Sequence, residues 1–158
     1  MAELASITGN SIVHILHVDD DISTLEISKE ILESENNFKV TTATSVDQAL
    51  RIMEKNVFDI IVSDYEMPQK NGLDFLENLS ALGITTPFIL FTGKGREEVA
   101  VKALNLGADG YINKHGNTET VYGELSHHIR QLARKYYIEE RLKEQTERLE
   151  KVSSQMPG

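Results

Sequence analysis

The feature that most constrains this chain is an alternation. Five short runs of apolar and β-branched residues, Ser11–Val18, Phe38–Ala43, Phe58–Ser63, Pro87–Phe91 and Gly110–Asn113, are each followed by a stretch whose apolar positions recur with helical spacing. Strands that alternate with helices through short connections predict a parallel sheet with right-handed crossovers and helices on both faces. The polar residues within Phe38–Ala43 suit an edge strand. Pro87–Phe91 is apolar on both faces, as a central parallel strand should be.

The helical stretches carry their own punctuation. Ile22–Glu35 reads as the first helix, with Ser23 and Glu26 at capping-box spacing. Ser45 and Gln48 repeat that spacing ahead of the stripe Val46, Ala49, Leu50 and Met53. Glu66–Gly72 reads as a loop, Leu73, Leu76 and Leu79 mark the next helix, and Gly83 ends it. Glu97–Leu106 is a helix closed by Gly107, and Thr118 opens a long final helix. That last helix changes face. Val121, Leu125, Ile129 and Leu132 have core-facing spacing, whereas Ile138, Leu142, Gln145, Leu149 and Val152 follow a coiled-coil step flanked by Glu139–Lys143, Glu144–Arg148 and Glu147–Lys151 pairs. The pattern allows a homodimer through the C-terminal helix, against a plain solvated helix. The candidate boundary near Ala133 lies where the final helix outruns the domain it packs on.

In an open parallel sheet the carboxyl ends of the strands line one rim, where ligands bind. Asp19-Asp20-Asp21, Asp64, Thr92, Tyr111 and Lys114 each sit at or just past the end of a strand run. Carboxylates supply hard oxygen ligands for a divalent metal, and Lys and Thr bind phosphate oxygens. The set therefore points to a divalent cation and a phosphoryl group.

Composition removes several classes. The chain has 158 residues, enough for one domain plus a tail, and no cysteine, so a disulfide framework, zinc–thiolate site or thiol nucleophile is ruled out. Met1–Asn10 has neither a basic n-region nor a long apolar core, and no run approaches a membrane span, so a cytoplasmic protein is expected. The net charge is −9; His127–Lys151 holds seven Lys or Arg against five Glu, which leaves −11 on the remainder. An acidic body argues against a nucleic-acid surface.

The motifs Val18-Asp19-Asp20, Ser63-Asp64-Tyr65-Glu66-Met67-Pro68 with Gly72, Phe91-Thr92, and Gly110-Tyr111-Ile112-Asn113-Lys114 together resemble the receiver domain of two-component response regulators, with an archaeal flavour in Phe91–Glu98. The resemblance covers residues 11–132. It leaves an N-terminal tail over 1–10, a helical extension over 133–152 and a tail over 153–158. It implies a flavodoxin-like doubly wound (βα)5 fold with strand order 2-1-3-4-5. It also implies a phosphorelay role, with a sensor histidine kinase as partner and Mg²⁺ as cofactor. Asp64 matches the phosphoacceptor; Asp19, Asp20, Asp64 and the Glu66 carbonyl match the metal ligands. Thr92 and Lys114 match the groups that follow the phosphoryl oxygens, and Thr92 with Tyr111 the conformational switch. Asp21 fits none of these roles and reads as an N-terminal helix charge. A homodimer through the last helix–strand–helix face is a further implication.

The chain departs from the pattern after Lys114, where the family usually has Pro and this sequence has His115. A cis bond there would cost about 3–4 kcal/mol, so trans geometry is expected, with Gly116 absorbing the altered path. Gly93 is expected to leave access to Asp64 open. His14 and His17 read as packed or rim residues, and His127 and His128 as solvated. Glu66 and Lys94, each two residues beyond a site residue, have the spacing for an ion pair across the mouth of the site. Two other readings were weighed. A haloacid-dehalogenase-like phosphatase carries its nucleophile after the first strand as Asp-x-Asp, whereas Asp64 follows the third. A phosphorylation-independent module often lacks an acidic residue or the lysine, and here all are present. The chain is expected to be no metabolic enzyme, catalysing only its own phosphorylation and dephosphorylation.

Overall fold

The fold was obtained as a computed structural model, which describes residues 11–35, 37–93 and 97–155. Five parallel strands, β1 (Val13–Val18), β2 (Phe38–Ala43), β3 (Ile60–Ser63), β4 (Phe88–Thr92) and β5 (Gly110–Asn113), form one sheet in the order β2-β1-β3-β4-β5. Between and after them run α1 (Ile22–Glu33), α2 (Val46–Lys55), α3 (Gly72–Ala81), α4 (Glu97–Asn105) and α5 (Thr118–Gln155). The doubly wound fold and strand order thus agree with expectation, and β2 lies at an edge.

The alternation of side chains along each strand builds two cores. Leu16, Val18, Ile61, Phe88 and Leu90 face a layer closed by α2, α3 and α4. Ile15, Val40, Val62, Ile89, Phe91 and Ile112 face the opposite layer, closed by α1 and α5 through Leu32, Val121, Leu125 and Ile129. Both faces of β3 and β4 are buried, which is why these strands read as unbroken apolar runs. Fully burying one such aliphatic side chain stabilises by about 1.5–3 kcal/mol.

The capping details differ from the sequence reading. α1 is capped by Asp21, whose carboxylate accepts from the Ser23 and Thr24 N–H groups at 3.0 and 3.4 Å. The Ser23/Glu26 pair is therefore displaced by an acceptor two residues upstream. Ser45 does cap α2 and accepts from the Gln48 N–H. The reciprocal arm goes one residue further back, because Gln48 Oε1 accepts from the Thr44 N–H at 2.6 Å. A full capping box that the sequence reading missed starts α3, with Asn71 and Asp74 exchanging side-chain and backbone bonds at 2.9 and 2.8 Å. The preceding turn holds Gln69 at φ 72°.

α5 is one helix of 38 residues that runs unbroken past Ala133. Its first half docks on the sheet, where Leu125 and Ile129 are fully buried. Arg130 crosses to the connection between α1 and β2, meeting Glu35 and Asn37 at 3.1 and 3.2 Å and stacking over the Phe38 ring. Among the described residues no helix is long and apolar enough to cross a membrane.

Gly72 is held at an unusually close approach. A Cβ there would stand 2.5 Å from the Asp64 carbonyl oxygen and 2.9 Å from Leu90 Cδ1. Gly72→Ala should therefore cost about 1–3 kcal/mol by overpacking and displace the strand end that carries Asp64. Thermal unfolding should report a lower Tm; an unchanged Tm would mean that α3 can shift without strain.

Candidate functional site

The rim at the carboxyl ends of the strands gathers the expected groups. Asp19 and Asp20 follow β1, Asp64 follows β3, Thr92 ends β4, Tyr111 lies within β5, and Lys114 follows β5. Backbone bonds fix these positions: the Asp19 N–H donates to Ala43, the Asp64 N–H to Val18 and the Lys114 N–H to Thr92, at 2.9–3.0 Å. Asp19, Asp20, Asp64, Glu66 and Lys114 line an open cleft of about 770 Å³. Thr92, 3% exposed, and Tyr111 do not line it. Lys94 lies outside the described residues, so the proposed pairing with Glu66 has no structural description.

Charge organises the centre of the cleft. Lys114 Nζ stands 2.6 Å from Asp19 Oδ2 and 3.5 Å from Asp64 Oδ1. Asp64 Oδ1 also accepts from the Tyr65 N–H at 2.8 Å, and Asp19 Oδ1 from the Asp21 N–H at 2.9 Å. Asp19, Asp20 and Asp64 each bring one carboxylate oxygen within 4.8 Å of the others. Partial burial, reinforced by the like charges of Asp19, Asp64 and Asp21, pushes the Asp20 carboxyl above its ordinary range. Three hard oxygens at one open rim, mutually repelling and only partly offset by one lysine, fit a small oxygen-loving dication that keeps several waters. Asp21 stands apart from this set as the cap of α1.

Beneath the charges lies an aromatic floor that the sequence reading did not assemble. Lys114 Nζ sits 5.7 Å from the centre of the Phe91 ring, and Phe91 meets the Tyr122 ring edge-on at 5.6 Å. The Tyr122 hydroxyl reaches Ser28 of α1 at 2.5 Å. His17 packs against Phe91 from the other side at 6.0 Å. Strand periodicity was the available signal: His17 is two residues before Asp19, and both point to the α1–α5 face. On the opposite face, Tyr111 packs against the core, and its buried hydroxyl has no hydrogen-bond partner.

The loop after Lys114 follows the path anticipated for a chain without Pro. Among the described residues no peptide bond is cis, and Gly116 takes φ 119°. The His115 N–H donates to Asn113 at 2.8 Å. Its imidazole Nε2 would stand 3.6 Å from a Cβ at Gly93, so the space left by that glycine is flanked by a side chain. Of the remaining histidines, His14 and His127 are exposed. His128 is half-buried over Gly110 rather than solvated, since a Cβ at Gly110 would lie 3.1 Å from its Nε2.

His17 gives the site a measurable acid sensitivity. Burial first, and the Lys114 cation second, lower its pKa from 6.5 to about 3, against an opposing pull from Asp64. The unfolded chain takes up this proton near 6.5 and the folded chain does not until about 3. Its contribution to stability is therefore complete above the upper value and falls as pH drops between the two. The slope approaches about 1.4 kcal/mol per pH unit. Urea unfolding at about pH 7 and about pH 5.5 with chelator present should show wild type losing more stability than His17→Leu. Equal losses would mean that His17 is protonated in the fold.

Comparison with known proteins agrees with this geometry. The family model for the response regulator receiver domain matches residues 15–126. Response regulator SaeR of Staphylococcus aureus is 38% identical over 101 residues, covering 64% of this chain and 43% of its own length. The chain thus spans less than half the length of the curated relatives it matches. Among solved structures, a response regulator receiver domain protein from Clostridium thermocellum is similar at a TM-score of 0.71 and 29% identity, covering 80% of this chain and 98% of its own. A CheY-like receiver domain protein from Methanospirillum hungatei JF-1 is similar at 0.68 and 30%, covering 79% and 99%. A five-stranded parallel sheet whose strand ends collect three aspartates, a threonine and a lysine is, in this chain, the fold of a response regulator receiver domain, and the chain belongs to that family of two-component signalling proteins.

Proposed function

We propose that Asp64 is the phosphoacceptor of a phosphorelay and that a sensor histidine kinase supplies the phosphoryl group. The supporting observation is the arrangement of Asp64 at the floor of an open cleft, with Lys114 Nζ 3.5 Å away and the oxygens of Asp19 and Asp20 beside it. In the transfer, a carboxylate oxygen of Asp64 forms the new bond to phosphorus as the bond to the kinase imidazole breaks, and that imidazole leaves with the electron pair. Asp19, Asp20, Asp64 and the Glu66 carbonyl would hold Mg²⁺, which when bound screens the repulsion between carboxylate and phosphoryl oxygens and aligns them.

The chain's own residues do the rest. Lys114, now drawn to Asp19, has a second carboxylate within reach and can turn to a phosphoryl oxygen as negative charge accumulates on Asp64. Thr92 can donate its hydroxyl to the same group. Movement of Thr92, at the end of the strand paired with β5, changes the space next to Tyr111 and can shift that side chain. Catalysis is confined to the chain's own phosphorylation and dephosphorylation. The protein acts in the cytoplasm without contacting nucleic acid or membrane. It assembles with itself through α5 or through the α4–β5–α5 face. Residues 11–132 form the receiver and 133–152 the extension.

Incubation with Mg²⁺ and acetyl phosphate should add one acid-stable, base-labile phosphoryl group to wild type and none to Asp64→Asn, read by intact mass. Asp20→Asn should weaken Mg²⁺ binding, because a neutral amide removes an anionic ligand, whereas Asp21→Asn should leave it nearly unchanged. Equal labelling of wild type and Asp64→Asn would refute the acceptor.

We further propose that Glu66 and Lys94, whose spacing beyond Asp64 and Thr92 allows an ion pair, lengthen the lifetime of the phosphoryl group by obstructing the line of water attack. An exposed pair contributes only about 0–1 kcal/mol to stability. Replacing both with Ala should therefore speed phosphate release with little change in Tm. Were Glu66→Ala alone to match the double variant while Lys94→Ala did nothing, simple repulsion by Glu66 would replace the gate.

A further inference from the structure

We propose that the C-terminal half of α5 takes a second copy of this chain as a parallel, in-register coiled coil from Ile138 to Val152. The inference goes beyond the phosphoacceptor role and does not rest on it. The first half of α5 is committed to the receiver: Val121, Leu125 and Ile129 are 6%, 0% and 0% exposed. The second half leaves Ile138, Leu142, Leu149 and Val152 40%, 56%, 70% and 51% exposed. At about 100° per residue, these four and Gln145 fall within an arc of about 80°. The centre of that arc lies about 140° around the axis from the receiver-packing stripe. A partner helix on the seam therefore approaches from the side turned away from the sheet. Continued upstream, the heptad falls on Lys135, Gln131 and His128, so the apolar seam starts where docking on the receiver ends.

The charges beside the seam select its occupant. The spacing places Leu142 and Leu149 at a positions and Ile138, Gln145 and Val152 at d positions. Arg134, Arg141 and Arg148 then occupy g, and Glu139 and Thr146 occupy e. In a parallel pair each g residue faces an e residue of the other helix one heptad on. Arg134 meets Glu139 of the second copy, and the reverse, giving two favourable contacts, while Arg141 meets Thr146. In an antiparallel pair a positions meet d positions, so Ile138 meets Leu149 and Leu142 meets Gln145; g then flanks g, which sets Arg141 beside Arg148 twice. Glu139 already lies 4.0 Å from Lys135 on its own helix, both side chains exposed, so it can be shared with an arginine from outside. Gln145 meets its own counterpart in the parallel register, and a paired polar side chain in the seam resists slippage. The sequence is thus complementary to itself in one orientation. Leu at a with β-branched residues at d also permits dimers to join into four-stranded assemblies.

The test uses the full chain. Light scattering over a concentration series should show the mass rising from one chain toward two or four. Leu142→Glu with Leu149→Glu should hold it at one chain, while acetyl-phosphate labelling, run on the same samples, stays at the wild-type level. Because the chain lacks cysteine, Val152→Cys supplies a single thiol and reads orientation. In the parallel register the two thiols face each other. Antiparallel, each lies opposite Lys135 and they stand about 26 Å apart, beyond the ~7 Å Cα separation a disulfide tolerates. Mild oxidation should then cross-link Val152→Cys alone. A monomer at every concentration would overturn the proposal. So would an assembly that survives the double Glu variant, or preferential cross-linking between Leu149→Cys and Ile138→Cys. Failure of the phosphoacceptor reading would appear separately, as unlabelled wild type.

Discussion

Three carboxylates that repel one another are held together by a sheet that cannot relax. Asp19 and Asp64 are almost fully buried, and each is anchored through its own backbone N–H to a neighbouring strand, Asp19 to Ala43 and Asp64 to Val18. Neither can retreat without breaking ladder geometry in a strand buried on both faces. Lys114 offsets part of this repulsion, but it reaches Asp19 at 2.6 Å and Asp64 only at 3.5 Å. Asp20, the most accessible of the three, holds its proton more tightly than usual, first through partial desolvation and then through the charges of Asp19 and Asp64. The rim thus concentrates negative charge that one lysine only partly offsets, and the fold supplies the rigidity that keeps it so.

Which features were readable from the sequence follows from how local their causes are. Alternating strand and helix patterns require no knowledge of partners, and the order of the sheet followed once the strand-end motifs matched a known family. Gly83 and Gly107 mark helix ends because their positive φ values, 73° and 106°, are intrinsic to the residue. The caps were harder. Ser23 and Glu26 have the right spacing, yet Asp21 is a stronger acceptor and stands where the chain leaves β1. Asn71 and Asp74 form a complete box using residue types that the Ser/Thr–Glu/Gln template does not contain.

The site residues were legible one by one, but their relations were not. That Lys114 rests on Asp19 depends on three strand ends meeting in space. That Gly72 must be glycine depends on the Asp64 carbonyl lying where its Cβ would go. His17 looked like an ordinary strand residue because nothing in its neighbours along the chain says that both ring nitrogens are sealed off. A buried neutral imidazole below a lysine–aspartate pair is a product of tertiary packing, and its acid sensitivity cannot be read from β1 alone.

α5 joins the two ends of this argument. Its first turns carry Tyr122, which closes the floor under Lys114 through Phe91 and locks onto α1 through Ser28. The same helix continues without a break to Gln155. A continuous helix moves largely as a unit, so a change in packing around Tyr122 and a change in the apolar seam beyond Ile138 are mechanically connected, with no proline between them. Gly123 is the one glycine in the helix, and it precedes the buried Leu125 and Ile129 that clamp this segment to the sheet. Along this one unbroken helix, burial on the sheet gives way to exposure between Ile129 and Ile138.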